Sequence, residues 1–183
     1  MAACVDALAH MIESRLNTNA NAFSRAYAEE GMKLWASCKG CLETEERFAQ
    51  MTDGEFSTFM QASVLAGMAI AYTGTSIPHG LSYTLTYENG VPHGKAVGVF
   101  LSGFLKKYGD SIEAEYVVKQ LLDFDDIDAF RDYIRTLFGK LDMSEKLWKK
   151  DRDGILANPA KLKNYPFELT ADMLDDYVRY YNA

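Results

Sequence analysis

Apolar residues recur at helical spacing along nearly all of the 183 residues, and the breaks between runs carry helix punctuation rather than hairpin turns. The pattern predicts an apolar-rich helix over 3–15, a turn over Asn17 to Asn21, and a second helix over 22–38 whose core residues are Phe23, Tyr27, Met32 and Trp35. A short charged helix follows over 43–50. Thr52-Asp53-Gly54-Glu55 has the spacing at which two side chains satisfy each other's backbone amides, so a long helix opens there and runs to about Tyr72. Its small residues Ala62, Ala66, Gly67, Ala69 and Ala71 permit close helix contact. Apolar character on most of its faces predicts a central, buried position. Residues 73–94 are the least regular stretch. A Gly- and Pro-punctuated break precedes a short helix starting at His79, Glu88-Asn89-Gly90 turns the chain, and Pro92-His93-Gly94 begins a helix to about Tyr108. Amphipathic helices are predicted over about 111–123, 125–138, 144–156 and 170–181, with Pro159 and Pro166 bracketing a loop before the last. The run Tyr-Val-Arg-Tyr-Tyr at 177–181 reads as a closing helix that docks aromatic rings on the bundle. The expected fold is all-α, a multi-helix bundle forming one domain over residues 1–183, without linker, low-complexity tract or solenoid repeat.

Composition narrows the partners. Apolar content of 48% with 25% charged residues is that of an ordinary globular protein. A net charge of −7 and a pI near 5.0 argue against nucleic acid. The scattered pairs Lys106-Lys107 and Lys149-Lys150 read as solvated helix ends. The apolar run from Ala62 to Tyr72 is half of a membrane span, so no membrane partner is expected. The first residues lack a basic segment followed by an apolar one, so no secretory signal is read and the cytoplasm is the expected compartment. Three cysteines make no disulfide framework. Cys38-Lys39-Gly40-Cys41 has redox or zinc spacing but no second pair, and Gly40 suits a helix C-terminus. The two thiols therefore read as semi-buried packing groups beside a helix stop. A Gly-x-Gly-x-x-Gly turn, a P-loop and a strand-rich half are all missing, so the chain has no nucleotide cradle of its own.

The three histidines change the picture more. His10 follows Asp6 by four residues, which places both on one helix face within reach of one ion. His79 and His93 are each the centre of a Pro-His-Gly tripeptide. Three imidazole nitrogens and one carboxylate oxygen suit Fe(II) or Zn(II) and fit calcium or magnesium poorly. Proline before each histidine suits helix entry, and the positive end of a helix disfavours the imidazolium, leaving a lone pair for a metal. Glycine after each lets backbone or cofactor approach closely. Each piece has an ordinary reading too: a histidine at a helix start caps or packs, and Asp four residues before His is a common exposed pair. Together they favour a metal, since every histidine is used and three segments can converge in a bundle. Glu13 lies on the face of His10, either behind the ligands or, more simply, on a solvated face; Lys95 reads as a surface lysine.

The stretches Asp6-Ala-Leu-Ala-His10-Met-Ile-Glu13, Ile77-Pro-His79-Gly-Leu-Ser-Tyr83 and Val91-Pro-His93-Gly-Lys-Ala96 resemble the C-terminal, all-helical domain of iron-containing (group III) alcohol dehydrogenases, a dehydroquinate synthase-like fold. The step from His79 to His93 and the ending from Asn164 to Thr170 before a last helix are similar as well. The resemblance covers nearly the whole chain. It implies a ligand set of Asp6, His10, His79 and His93 around Fe(II) or Zn(II). It also implies an exchange of hydride between a small alcohol or aldehyde and NAD(P) bound in a cleft between two domains. Tyr83 stands where many members carry a second histidine, so a phenol there relays a proton or lines the pocket. The N-terminal nucleotide-binding domain is absent, which implies a fragment, a separately encoded half or a degenerate product. The chain alone is then expected to be inactive and to expose an apolar patch that leads to self-association into a homo-oligomer or to a nucleotide-binding partner. Two rivals remain: a metal hydrolase with Glu13 as base, and a helical interaction module whose histidines merely cap.

Overall fold

The computed structural model describes residues 1–109 and 112–183, and among these the chain is helical with no strand. The order is α1 (Ala2–Arg15), α2 (Ala22–Cys38), a 3-10 turn (Lys39–Leu42), α3 (Glu45–Ala49), α4 (Asp53–Thr73), α5 (Ile77–Asn89) and α6 (His93–Lys106). Then come α7 (Ile112–Glu115) with a π-helical turn (Tyr116–Leu121), α8 (Ile127–Phe138), α9 (Glu145–Leu156), α10 (Pro159–Leu162) and α11 (Ala171–Asn182). The first residue of the helix expected over 111–123 lies outside the described residues. No helix among those described is long and apolar enough to cross a membrane.

Local chemistry sets the helix ends. Asn21 caps α2 by accepting from Phe23 and Ser24 N–H, and the expected Thr52–Glu55 box opens α4. Gly90 closes α5 in the left-handed conformation, and Gly74 closes α4 with a positive φ of 68°, which confines α5 to the span between them. α5 is longer than expected, because Pro78 stands in its first turn instead of before it.

α6 is the axis of the bundle, packed against α1, α5, α8 and α11. Every residue from Ala96 to Leu105 on it is buried. Two glycines permit that. A Cβ at Gly94 would overlap the Ala2 carbonyl, and one at Gly103 would lie 2.6 Å from Tyr177 Cα, so α6 touches the backbone of both α1 and α11. The closing helix docks as expected: Tyr177 and Tyr181 are fully buried, and the Tyr181 hydroxyl donates to the Gly139 carbonyl at 2.7 Å. On α9, Asp151 is buried. One of its oxygens accepts from the Thr84 hydroxyl at 2.9 Å, and the other has no partner.

Four expectations are corrected. α4 is not buried all round: Phe59, Ala62, Ala66, Ala69 and Thr73 face α1 and α2, while Phe56, Met60, Val64, Met68 and Tyr72 are exposed. The reason is that only these two helices cover it. Of the expected α2 core residues, Met32 and Trp35 are buried and Tyr27 is half-buried, but Phe23 at the exposed first turn stacks only on Tyr72. Gly40 takes no left-handed cap, since the chain tightens into the 3-10 turn there and runs on. Lys149-Lys150 lie in the middle of α9.

Candidate metal centre

Three helices bring the chosen side chains together. Asp6 lies on α1, His79 in the first turn of α5 and His93 at the start of α6. Gly94 sets the approach of α6 to Ala2, and that contact carries His93 beside Asp6 one turn along. His79 Nε2 stands 3.4 Å and His93 Nε2 3.5 Å from the same oxygen, Asp6 Oδ1. One donor atom each from Asp6, His79 and His93 lies within 4.8 Å of the others. His10 stacks on His79 with ring centroids 4.4 Å apart, and His79 meets His93 edge to face at 5.5 Å. Asp6, His79 and His93 thus meet at one point, while the His10 ring lies against His79 outside that cluster of three. His79 is 3% exposed, whereas Asp6, His10 and His93 are half-buried, so the cluster opens on one side.

Asp6 Oδ1 and His79 Nε2 are both buried without a hydrogen-bond partner. Two such atoms facing each other cost free energy unless something sits between them. A cation does fit: the donors are imidazole nitrogen and carboxylate oxygen, the pairing preferred by zinc and iron.

Glu13 is the residue the sequence reading misplaced. It is fully buried, not solvated. One of its oxygens accepts from the backbone N–H of Ser76 at 3.1 Å and of His79 at 3.2 Å, and the other pairs with His79 Nδ1. Asp6, His10 and Glu13 form one stripe on α1, and that stripe was the available signal. Glu13 also reverses the expected effect of the helix end on His79. Burial alone lowers an imidazole, but the Glu13 and Asp6 carboxylates outweigh it and push His79 up to about 9. Burial works against the Asp6 carboxylate too, yet contact with His79 and the charges of the three imidazoles hold it below the usual range. His10 is lowered, by burial first and then by its neighbour His79.

Tyr83 stands at the rim, 41% exposed, its ring parallel to that of His93 at 6.4 Å and its centre 5.4 Å from Lys161 Nζ. Thr86, one turn further along α5, places its hydroxyl 3.5 Å from His93 Nδ1. The sequence reading did not single it out, although His79, Tyr83 and Thr86 share a helix face. Cys38 and Cys41 are both buried and pack in the core, and burial together with Glu55 pushes the Cys41 thiol up to about 11. An apolar groove of about 190 Å³ runs between α1 and α4, lined by Ala3, Ala7, Phe56 and Met60. Ala3, Ala7 and His10 follow one another on a single face of α1, so the groove floor leads toward the cluster.

Residues 1–153 match the Fe-containing alcohol dehydrogenase family, C-terminal. The 4-hydroxybutyrate dehydrogenase of Clostridium kluyveri is 25% identical over 194 residues, covering 97% of this chain and 52% of that protein. Among solved structures, an iron-containing alcohol dehydrogenase from Thermotoga maritima has a TM-score of 0.83 at 28% identity, over 98% of this chain and 48% of its own. A sulfoacetaldehyde reductase from Bifidobacterium kashiwanohense, in complex with NAD+, has a TM-score of 0.77 at 25% identity, over 100% of this chain and 50% of its own. The chain therefore spans about half the length of the relatives it matches.

Proposed function

The chain belongs to the Fe-containing alcohol dehydrogenase family, whose C-terminal domain it carries, and from that premise we propose that Asp6, His10, His79 and His93 hold Fe(II) or Zn(II) for the redox chemistry of a small alcohol and its aldehyde or ketone. The observation that carries this is the pair of buried, partnerless donors, Asp6 Oδ1 and His79 Nε2, with His93 Nε2 closing the third side. Bound there, the cation supplies Lewis acidity toward a substrate oxygen. The protein's own residues do the rest. Asp6 offsets part of the positive charge, the His10 ring walls the centre against His79, and the stack of Tyr83 on His93 puts a phenol at the open rim where a proton can pass to solvent.

NAD(P) belongs, in this reading, to a nucleotide-binding domain outside residues 1–183, and the helical domain alone is inactive. The exposed face of α4 is where such a domain docks: Phe56, Met60, Val64, Met68 and Tyr72 recur every fourth residue, and α4 ends at Gly74, two residues before the Ser76 amide that Glu13 holds. A hydrolase is disfavoured by the state of Glu13. Its two oxygens are engaged by His79 and two backbone amides, and no surface is left for water. An interaction module with capping histidines leaves the convergence on one Asp6 oxygen without a cause.

Metal analysis of protein purified without added metal tests the reading. Bound Fe or Zn near one equivalent is expected, with Asp6→Ala and His93→Ala each losing most of it. Unchanged content in both variants sinks the metal centre. Reductase activity recovered on adding a separately expressed nucleotide-binding domain tests the redox chemistry.

A further inference from the structure

We infer that Glu13 is a positioning residue that decides which nitrogen of His79 meets the cation. The inference rests on the metal-centre reading and goes beyond it, because Glu13 acts on the cation only through His79. An ionised carboxylate only accepts hydrogen bonds, whereas either nitrogen of a neutral imidazole can carry the proton. Glu13 pairs with Nδ1, so the proton is fixed there and Nε2 is left facing Asp6. The carboxylate is itself held from behind. Its second oxygen takes the Ser76 and His79 N–H groups at the start of α5, so it cannot swing away without leaving two amides unpaired. Full burial of Glu13 removes water as a competing partner for Nδ1. His93 shows the contrast. Its Nδ1 lies 3.5 Å from the Thr86 hydroxyl, a group that donates or accepts equally well and therefore imposes no proton position.

The decisive variant is Glu13→Gln, which keeps the size of the side chain and an oxygen for the two amides but turns an N–H group toward Nδ1. The proton is then driven to Nε2, where it blocks the cation. Zinc affinity, measured by competition with a chromogenic chelator, is expected to fall about 10–100-fold, the usual cost of losing such an outer partner. Because the variant also takes the carboxylate from a buried pair, its metal-free form is expected to melt below the wild type, so the two affinities are compared at a temperature where both chains are folded. Equal zinc affinity in the variant and the wild type overturns the inference. Should the variant fail to fold, nitrogen-15 NMR of the zinc-loaded wild type decides instead. A slowly exchanging proton on His79 Nδ1 supports the assignment, and zinc bound at Nδ1 refutes it. The two levels separate cleanly. A wild type that takes up no zinc removes the metal centre and this role together, while normal uptake lost in Asp6→Ala but retained in Glu13→Gln removes only the role of Glu13.

Discussion

α4 and α6 are alike in sequence and opposite in environment. Each runs ten or more residues without a charge: Phe56 to Thr73 in one, Ala96 to Leu105 in the other. α6 is enclosed by four helices and buries every residue of that run, whereas α4 has two helical neighbours and leaves a fourth-residue stripe of large apolar side chains open. Hydropathy alone therefore does not say whether a helix finds its cover within the same chain. What distinguishes them is the spacing of close contacts. α6 meets other backbones at Gly94 and Gly103, but Gly67, at the middle of α4, has no atom within 4 Å of where a Cβ would stand.

Substitutions on the two helices test that contrast. Phe100→Ala on α6 removes a fully buried ring that stacks on Trp148, and a loss of about 3–5 kcal/mol is expected from denaturant unfolding. Val64→Lys on α4 alters a residue 59% exposed, and folding stability is expected to stay within about 0.5 kcal/mol of wild type. The same variant is expected to weaken concentration-dependent self-association in sedimentation, because it sets a charge in the stripe. A large stability loss in Val64→Lys means that α4 is covered after all, and the contrast with α6 collapses.

Much of this was legible in the chain. The helical period, the Thr52–Glu55 box and the aromatic closing helix are local patterns, and each appears where the spacing puts it. The convergence of Asp6, His79 and His93 was legible for a different reason: histidines are scarce, so the placement of all three carried information that no single segment held. The failures share a cause. Whether Glu13 faces water or a histidine, and whether Phe56 and Val64 face solvent or a neighbour, depends on which helices arrive beside α1 and α4, and periodicity is blind to that. The charge state of His79 failed similarly, since the Pro-His-Gly motif announced a helix N-terminus but not the carboxylate that neutralises it. The π-helical turn at Tyr116–Leu121 left no mark in the spacing of apolar residues.

The lone oxygen of Asp151 has a consequence for how the protein tolerates alkali. Burial first, and then the nearby charge of Glu88, push this acid up to about 7 from an ordinary 3.8, even though the Thr84 hydroxyl works in the other direction. The folded chain therefore holds a proton that the unfolded chain has released throughout the interval between those values. Below about 4 both forms carry it and the fold bears no penalty; the penalty builds as pH rises from there and is complete above about 7, where α9 is expected to hold α5 less firmly. Melting temperature followed from pH 4 to pH 9 should decline in the wild type up to about pH 7 and level off above it, and decline less in Asp151→Asn, whose side chain never ionises.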